Sequence, residues 1–276
     1  VSLIGAKPVF VDINENNFNI DISKIKTAIT VKTKAIIPVH LYGQPVDMDH
    51  LIEIANENNI KIIEDACQAH GAEYKGKKVG IFSDSGCFSF YPAKNLGAFG
   101  DGGAIVTNNE EVAEKVKLLR NYGQKVKYYH LMKGPNTRLD SIQAAILDVK
   151  LRHLEKWNKL RRENAKFYYS LLNEMKIKSP IEEKFAKHVY HLFVIRTEKR
   201  DELQKFLKKR GVSTGIHYPI PIHLQKAYSE FGNTEGSMPI AEKVSKEILS
   251  LPMYPELGKE QIGYVVDSIK SFYKNE

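Results

Sequence analysis

The chain has 276 residues, 42% of them hydrophobic and 27% charged, with a formal net charge of +8. That balance is ordinary for a soluble globular protein, long enough for a large domain and a smaller one, and it excludes a low-complexity polypeptide. No apolar run approaches the length that crosses a bilayer, and no charged-then-apolar leader opens the sequence, so no membrane partner is expected.

The charge selects no partner by itself. The lysines are scattered over helices, and no helix carries clustered Arg and Lys interleaved with aromatics, so nucleic acid is not expected. An anionic small substrate accounts for the charge equally well. Two cysteines, Cys67 and Cys87, match no disulfide framework and no zinc spacing; they read as buried free thiols at strand ends, which suits the cytoplasm.

In chain order, residues 1–12 read as the interior of a fold: a short helix end, Gly5, then a strand over 8–12. That reading implies further sequence before Val1. Residues 35–39 are strand-like, and Met48, Leu51, Ile52 and Ala55 follow helix spacing with Asp47 placed to cap it. Residues 60–63, 86–90 and 104–106 are further strands, and Val112, Val116 and Leu119 mark a helix. Strands apolar on both faces, separated by helices, predict an α/β fold with a mostly parallel sheet between helix layers. Asp140 can cap a long helix carrying Ile142, Ala145, Ile146, Val149, Leu154 and Trp157 on its apolar side. A strand over 188–195 and helices around 203–207, 241–249 and 262–272 complete an α+β segment. The boundary falls near Lys156, giving a large domain over 1–155 and a small C-terminal domain over 156–276.

Ligands bind at strand ends in open α/β sheets. The strand at 60–63 runs into Glu64-Asp65-Ala66-Cys67-Gln68-Ala69-His70-Gly71, and the next continues as FSFYPAKNLGAFGDGG over 88–103. Lys94 therefore sits just past a strand end, before a glycine-rich turn, although lysine is normally a solvated surface residue. Pyridoxal phosphate would explain it: that cofactor needs a lysine amine for a Schiff base, an acid to keep its pyridine nitrogen protonated, and donors for its phosphate. Asp65 and Lys94 supply the first two, Ser89 can donate to the phosphate, and Gly97, Gly100, Gly102 and Gly103 let backbone pass close by. On spacing alone, a surface lysine and a helix-capping aspartate remain open alternatives.

Residues 33–48 (TKAIIPVHLYGQPVDM), 64–72 (EDACQAHGA), 88–107 (FSFYPAKNLGAFGDGGAIVT) and 133–147 (KGPNTRLDSIQAAIL) resemble, in order and spacing, the signatures of the DegT/StrS family of nucleotide-sugar aminotransferases. The resemblance implies an aspartate-aminotransferase-like fold (PLP fold type I), with a mostly parallel mixed sheet flanked by helices and a smaller α+β C-terminal domain. It implies that Lys94 holds pyridoxal 5'-phosphate covalently and that Asp65 pairs with the pyridine nitrogen. Gln68 would lie near the ring's phenolic oxygen, and Ser89 would bind the phosphate. Asn136 corresponds to an asparagine reaching the phosphate from the neighbouring subunit, which makes a homodimer part of the active site. His217 and Tyr218, within IHYPIPIHLQKAY, match a segment near the substrate sugar; a substrate role and a structural role both stay open there. Ala93 replaces a frequent glycine without touching the chemistry. Family members carry roughly ninety further residues upstream, including a Gly-Thr phosphate-binding turn, and without them these residues are expected to fold and hold the cofactor poorly.

Lys94 argues against a sister branch that has histidine there and dehydrates the sugar. The KNLGAFGDGG form resembles enzymes acting at C3 of dTDP-3-keto-6-deoxyhexoses. The implied reaction is a ping-pong transfer of an amine from glutamate to the keto sugar, with Lys94 moving the proton. The alternatives are a C4 aminotransferase of a nucleotide sugar and a non-catalytic regulator or scaffold, whose signature would be loss of Lys94 or Asp65. His40, His70, His217 and His223 show no ligand spacing on one helix face, so no metal is expected.

Overall fold

The computed structural model describes residues 1–173, 175 and 177–274. Helix α1 (Ile22–Ala28) starts at Asp21, whose carboxylate accepts from the Ser23 amide at 3.0 Å and satisfies a donor that the helix leaves orphaned. Then come β1 (Ala35–Ile36), α2 (Met48–Glu57), β2 (Lys61–Asp65), β3 (Glu73–Tyr74), β4 (Lys77–Lys78), β5 (Ser85–Ser89) and β6 (Gly103–Val106). They are followed by α3 (Glu110–Leu119), β7 (Gln124–Val126), β8 (Tyr129–His130), α4 (Ser141–Leu151), α5 (Leu154–Leu172) and β9 (Ala186–Lys187). The chain ends with β10 (Phe193–Arg196), α6 (Arg200–Lys209), α7 (Pro239–Glu247), β11 (Ile248–Leu251) and α8 (Lys259–Lys274). Two compact units result: Lys34–Asn158 with Phe185–Val189, and Val1–Thr33 with Lys159–Lys184 and Tyr190–Glu276.

The unit that begins at Lys34 is built on a sheet in the order β1-β2-β5-β6, in which β1, β2 and β5 are parallel and β6 is antiparallel to β5. Met48, Leu51, Ile54 and Ala55 bury one stripe of α2, the spacing of an amphipathic helix. Leu96, Ala98, Leu147 and Leu154 form a second apolar cluster against Phe90 and Leu139, each buried leucine contributing roughly 2 kcal/mol. A small antiparallel sheet, β4-β3-β9, completes this unit together with the β7–β8 hairpin.

The C-terminal end of β2 is fixed by a buried carboxylate. Glu64 accepts from the Gly80 amide (2.6 Å), the Phe82 amide (2.9 Å), the Ser83 hydroxyl (2.8 Å) and His40 Nε2 (3.1 Å). His40 Nδ1 accepts from the Val46 amide at 3.0 Å, so the proton of this ring sits on Nε2 and points at Glu64. Burial pushes the Glu64 carboxyl up, but the bonds from His40, Gly80 and Ser83 hold it below its ordinary value. Asp65, the next residue, inherits a fixed backbone.

The other unit packs α5, α6 and α8 around the antiparallel pair β10–β11. Tyr168, Phe193, Leu203, Leu249, Ile262 and Val266 are its buried centre.

Several elements differ from the expectations. Residues 8–12 form no strand: the Asp12 carboxylate accepts from the Ile240 (3.1 Å) and Ala241 (2.9 Å) amides, so this segment ends as a cap on the start of α7. The single long helix after Asp140 breaks into α4 and α5, where His153 donates to Lys150 O in a tighter turn. The strand over 188–195 shrinks to β10 because Tyr190, at φ +44°, leaves the extended region. The helix over 241–249 ends at Glu247, since Ile248 and Leu249 are wholly buried as strand residues pairing with β10. Asp47 and Asp140 occupy N-cap positions without side-chain cap bonds; the Asp47 carboxylate instead binds the Tyr74 hydroxyl (2.9 Å) and His50 Nδ1 (2.6 Å).

Candidate active site

Asp65 closes β2 in register with Cys87 on β5, and Ser89 closes β5 in register with Gly103 on β6. Because β2 and β5 are parallel, their C-terminal ends open on one edge, where the crevice of an open α/β sheet lies. Beyond Ser89 the chain folds back on itself. Phe90 N donates to Gly102 O (2.7 Å), Lys94 N to Tyr91 O (2.9 Å), and Ala98 N to Phe90 O (2.8 Å). Gly97 is needed for this turn, since a Cβ there would stand 2.3 Å from Pro92 O. Two side chains of α4 hold the far limb. Gln143 Oε1 accepts from the Phe99 amide at 2.8 Å, and Lys150 Nζ donates to Gly97 O while lying 5.4 Å from the Phe99 ring centroid.

The Lys94 amine is half-buried. Burial pulls its pKa down, and the neighbouring Cys67 and Asp65 groups partly offset that pull. A lysine so placed loses its proton more readily than a surface one, which is what a nucleophilic amine requires. Asp65 Oδ1 accepts from the Cys67 amide at 3.0 Å. The Cys67 thiol is pushed up to about 12 by burial, with a hydrogen bond to Asp65 and that residue's charge adding to the effect. It therefore stays a neutral thiol. Both cysteines are free and half-buried.

Gln68 is buried, with Oε1 accepting from the Tyr42 amide at 2.7 Å. Ser89 Oγ accepts from the Tyr91 amide at 3.2 Å, and its hydroxyl proton still has a direction in which to donate. His70 is 3% exposed, and its ring centroid lies 5.4 Å from that of Phe88 and 6.0 Å from that of Phe90. Burial, reinforced by the Lys94 charge, pulls it down to about 4, so it is neutral at pH 7.

Lys94, Asp65, Gln68 and Ser89 thus share one edge of one sheet. Asn136 is exposed on a loop of the same unit, bridged through its backbone to Asn121. His217 and Tyr218 belong to the other unit: His217 Nδ1 meets Ser250 Oγ at 2.8 Å, and the Tyr218 side chain is exposed. Sequence reading missed that Cys67 and His70 lie within the electrostatic reach of Lys94, and that Glu64 anchors the strand end. The available signal was their place in EDACQAHGA, flanking Asp65 and Gln68.

A family model described as the DegT/DnrJ/EryC1/StrS aminotransferase family matches residues 1–270. The chain belongs to this family. Within the DegT/DnrJ/EryC1/StrS family, it is 51% identical over 278 residues to a pleiotropic regulatory protein of Geobacillus stearothermophilus, covering 100% of this chain and 75% of that protein. It is 47% identical over 273 residues to a dTDP-3-amino-3,4,6-trideoxy-alpha-D-glucose transaminase of Streptomyces venezuelae, covering 99% of this chain and 72% of the relative. The crystal structure of S. venezuelae DesV in complex with a ketimine intermediate superposes with a TM-score of 0.96 at 47% identity, over 99% of this chain and 74% of that one. The mixed, mostly parallel sheet flanked by helices is therefore the fold of the DegT/DnrJ/EryC1/StrS aminotransferases.

Proposed function

We propose that the protein is a pyridoxal-phosphate-dependent aminotransferase that moves an amine from glutamate to C3 of a dTDP-linked 3-keto-6-deoxyhexose. The observation that carries this reading is the placement of a half-buried Lys94 amine within electrostatic reach of the Asp65 carboxylate at the open edge of the parallel strands. Names of relatives that specify 3-amino sugars support the regiochemistry.

The residues fit the cofactor by their chemistry. An amine with a depressed pKa, a carboxylate, a hydroxyl with a proton to give and a buried amide lie on one sheet edge. When bound, pyridoxal phosphate supplies an electron sink for the charge released at the substrate carbon. Lys94 would hold it covalently, Asp65 would keep a proton on the ring nitrogen, Ser89 would donate to the phosphate, and Gln68 would stand near the phenolic oxygen. The free Lys94 amine would take the proton from the substrate carbon. Cys67 stays a neutral thiol beside Asp65.

In this reading a second copy contributes Asn136 to the phosphate, so the working form is a homodimer with shared sites. His217 and Tyr218 contact the sugar. A cytoplasmic setting belongs to the same reading and is supported by two cysteines that are both free.

The Geobacillus relative's name favours a second reading, a regulator that keeps the fold. Retention of both Lys94 and Asp65 favours catalysis. The visible absorbance of purified full-length protein separates the two: a yellow band bleached by glutamate is expected of the enzyme, and a band indifferent to glutamate, or none, of the regulator.

A further inference from the structure

Asn95 follows Lys94 directly, and Asn158 lies in α5; both are buried, at 5% and 2% exposure. Asn95 Nδ2 donates to Asn158 Oδ1 at 2.9 Å and to Val189 O at 3.1 Å. Asn158 Nδ2 in turn donates to His70 O at 2.8 Å. One continuous run of hydrogen bonds therefore links Val189, the residue beside Lys94, α5 and the loop that follows Asp65 and carries Gln68 and His70. Gly71 makes room for it: a Cβ there would stand 2.7 Å from Asn158 Nδ2, and the residue's φ of +81° itself disfavours a side chain.

We propose that the Asn95–Asn158 amide pair is a clamp that sets the spacing between the Lys94 loop and the loop that begins at Asp65, making both asparagines positioning residues for amine transfer. This rests on the reading of Lys94 as the cofactor lysine. Amides are directional, so the pair fixes distance and angle where an apolar contact would fix only separation. Both side chains sit where water does not compete, and in such surroundings a satisfied polar network rigidifies what it joins. One loop carries the amine, and the other runs straight out of the strand end that holds the acid; amine and acid must act on one bound group. A misplacement of about 1 Å between such groups costs roughly 100-fold in rate.

The test uses the full-length holoenzyme as wild type, Asn158→Asp, Asn158→Ala and Gly71→Ala, with Leu203→Ala as a core-cavity control in the other unit. Asn158→Asp keeps an oxygen to accept from Asn95 but loses the donor to His70 O. The readouts are kcat and KM, the melting temperature of the apoprotein, and the pH midpoint of the visible band of the lysine adduct. The clamp variants should lose roughly 10- to 100-fold in kcat with KM little changed. Their pH midpoint should shift by about half a unit or more, because the Lys94 adduct changes its distance from Asp65, whose backbone stays fixed in β2. Leu203→Ala should lower the melting temperature and leave both other readouts alone. Clamp variants that only melt earlier, as the control does, would overturn the proposal. If Asn158→Ala fails to fold, Asn158→Asp and Gly71→Ala decide. A wild type without a coloured adduct overturns the functional reading and the clamp's role with it, whereas a coloured wild type with indifferent variants overturns the clamp alone.

Discussion

Replacing His70 by Phe or Gln should make the protein markedly less sensitive to mild acid. His70 is neutral in the folded state because burial and the Lys94 charge pull it down to about 4, against 6.5 for an ordinary imidazole. Below the ordinary value the unfolded chain binds a proton that the folded protein refuses, so stability falls as the pH drops from about 6.5 towards 4 and is intact above that window. At 1.36 kcal/mol per unit, the cost at pH 5 is about 2 kcal/mol and approaches about 3 kcal/mol near pH 4. Urea unfolding of the apoprotein at pH 7 and pH 5 measures it directly. Other titrating groups act alike in wild type and variant, so the difference between their acid losses isolates His70. Wild type should lose about 2 kcal/mol more than the variant between those pH values. Equal losses, or an NMR titration of the folded His70 ring near its ordinary midpoint, would refute the argument.

Asp65→Asn keeps the shape of the side chain but cannot hold the ring nitrogen protonated; cofactor should still bind, and turnover should fall roughly 100- to 1,000-fold, the loss typical of a positioned charge at a reacting centre. Near-normal turnover would mean that the acid lies elsewhere. Lys94→Ala and Asn136→Asp subunits, each inactive, should regain activity when mixed and allowed to exchange, because a hybrid dimer holds one site with both native side chains. No recovery would count against the shared site.

The parallel strands β2 and β5 were readable as short apolar runs between helical patterns, and they begin within one residue of the expected positions, whereas the strand expected over 35–39 is reduced to β1. The positions of Asp65, at the end of β2, and of Lys94, in the turn after β5, follow from where those strands stop. Residues 8–12 and 248–251 were not readable, since short apolar runs fit a strand, a helix end or a loop equally, and the arbiter is a distant partner. For Asp12 that partner is the start of α7, and for Ile248 it is Arg196. The break at His153 leaves no mark in a helical pattern that continues on both sides of it. The Asn95–Asn158 pair was invisible for a similar reason: 63 positions separate two residues that on local pattern alone read as turn and surface polar groups. The contacts of the His70 ring with Phe88 and Phe90 were likewise not legible in the sequence, since both partners lie on the next strand segment.

The central claim is that the Lys94 amine binds the cofactor. Borohydride reduction of the full-length holoenzyme, followed by proteolysis and mass spectrometry, tests it at the level of one atom. The predicted result is a phosphopyridoxyl group on Lys94 in the wild type and none in Lys94→Ala. A reduced adduct on any other lysine, or one that persists in Lys94→Ala, would contradict it.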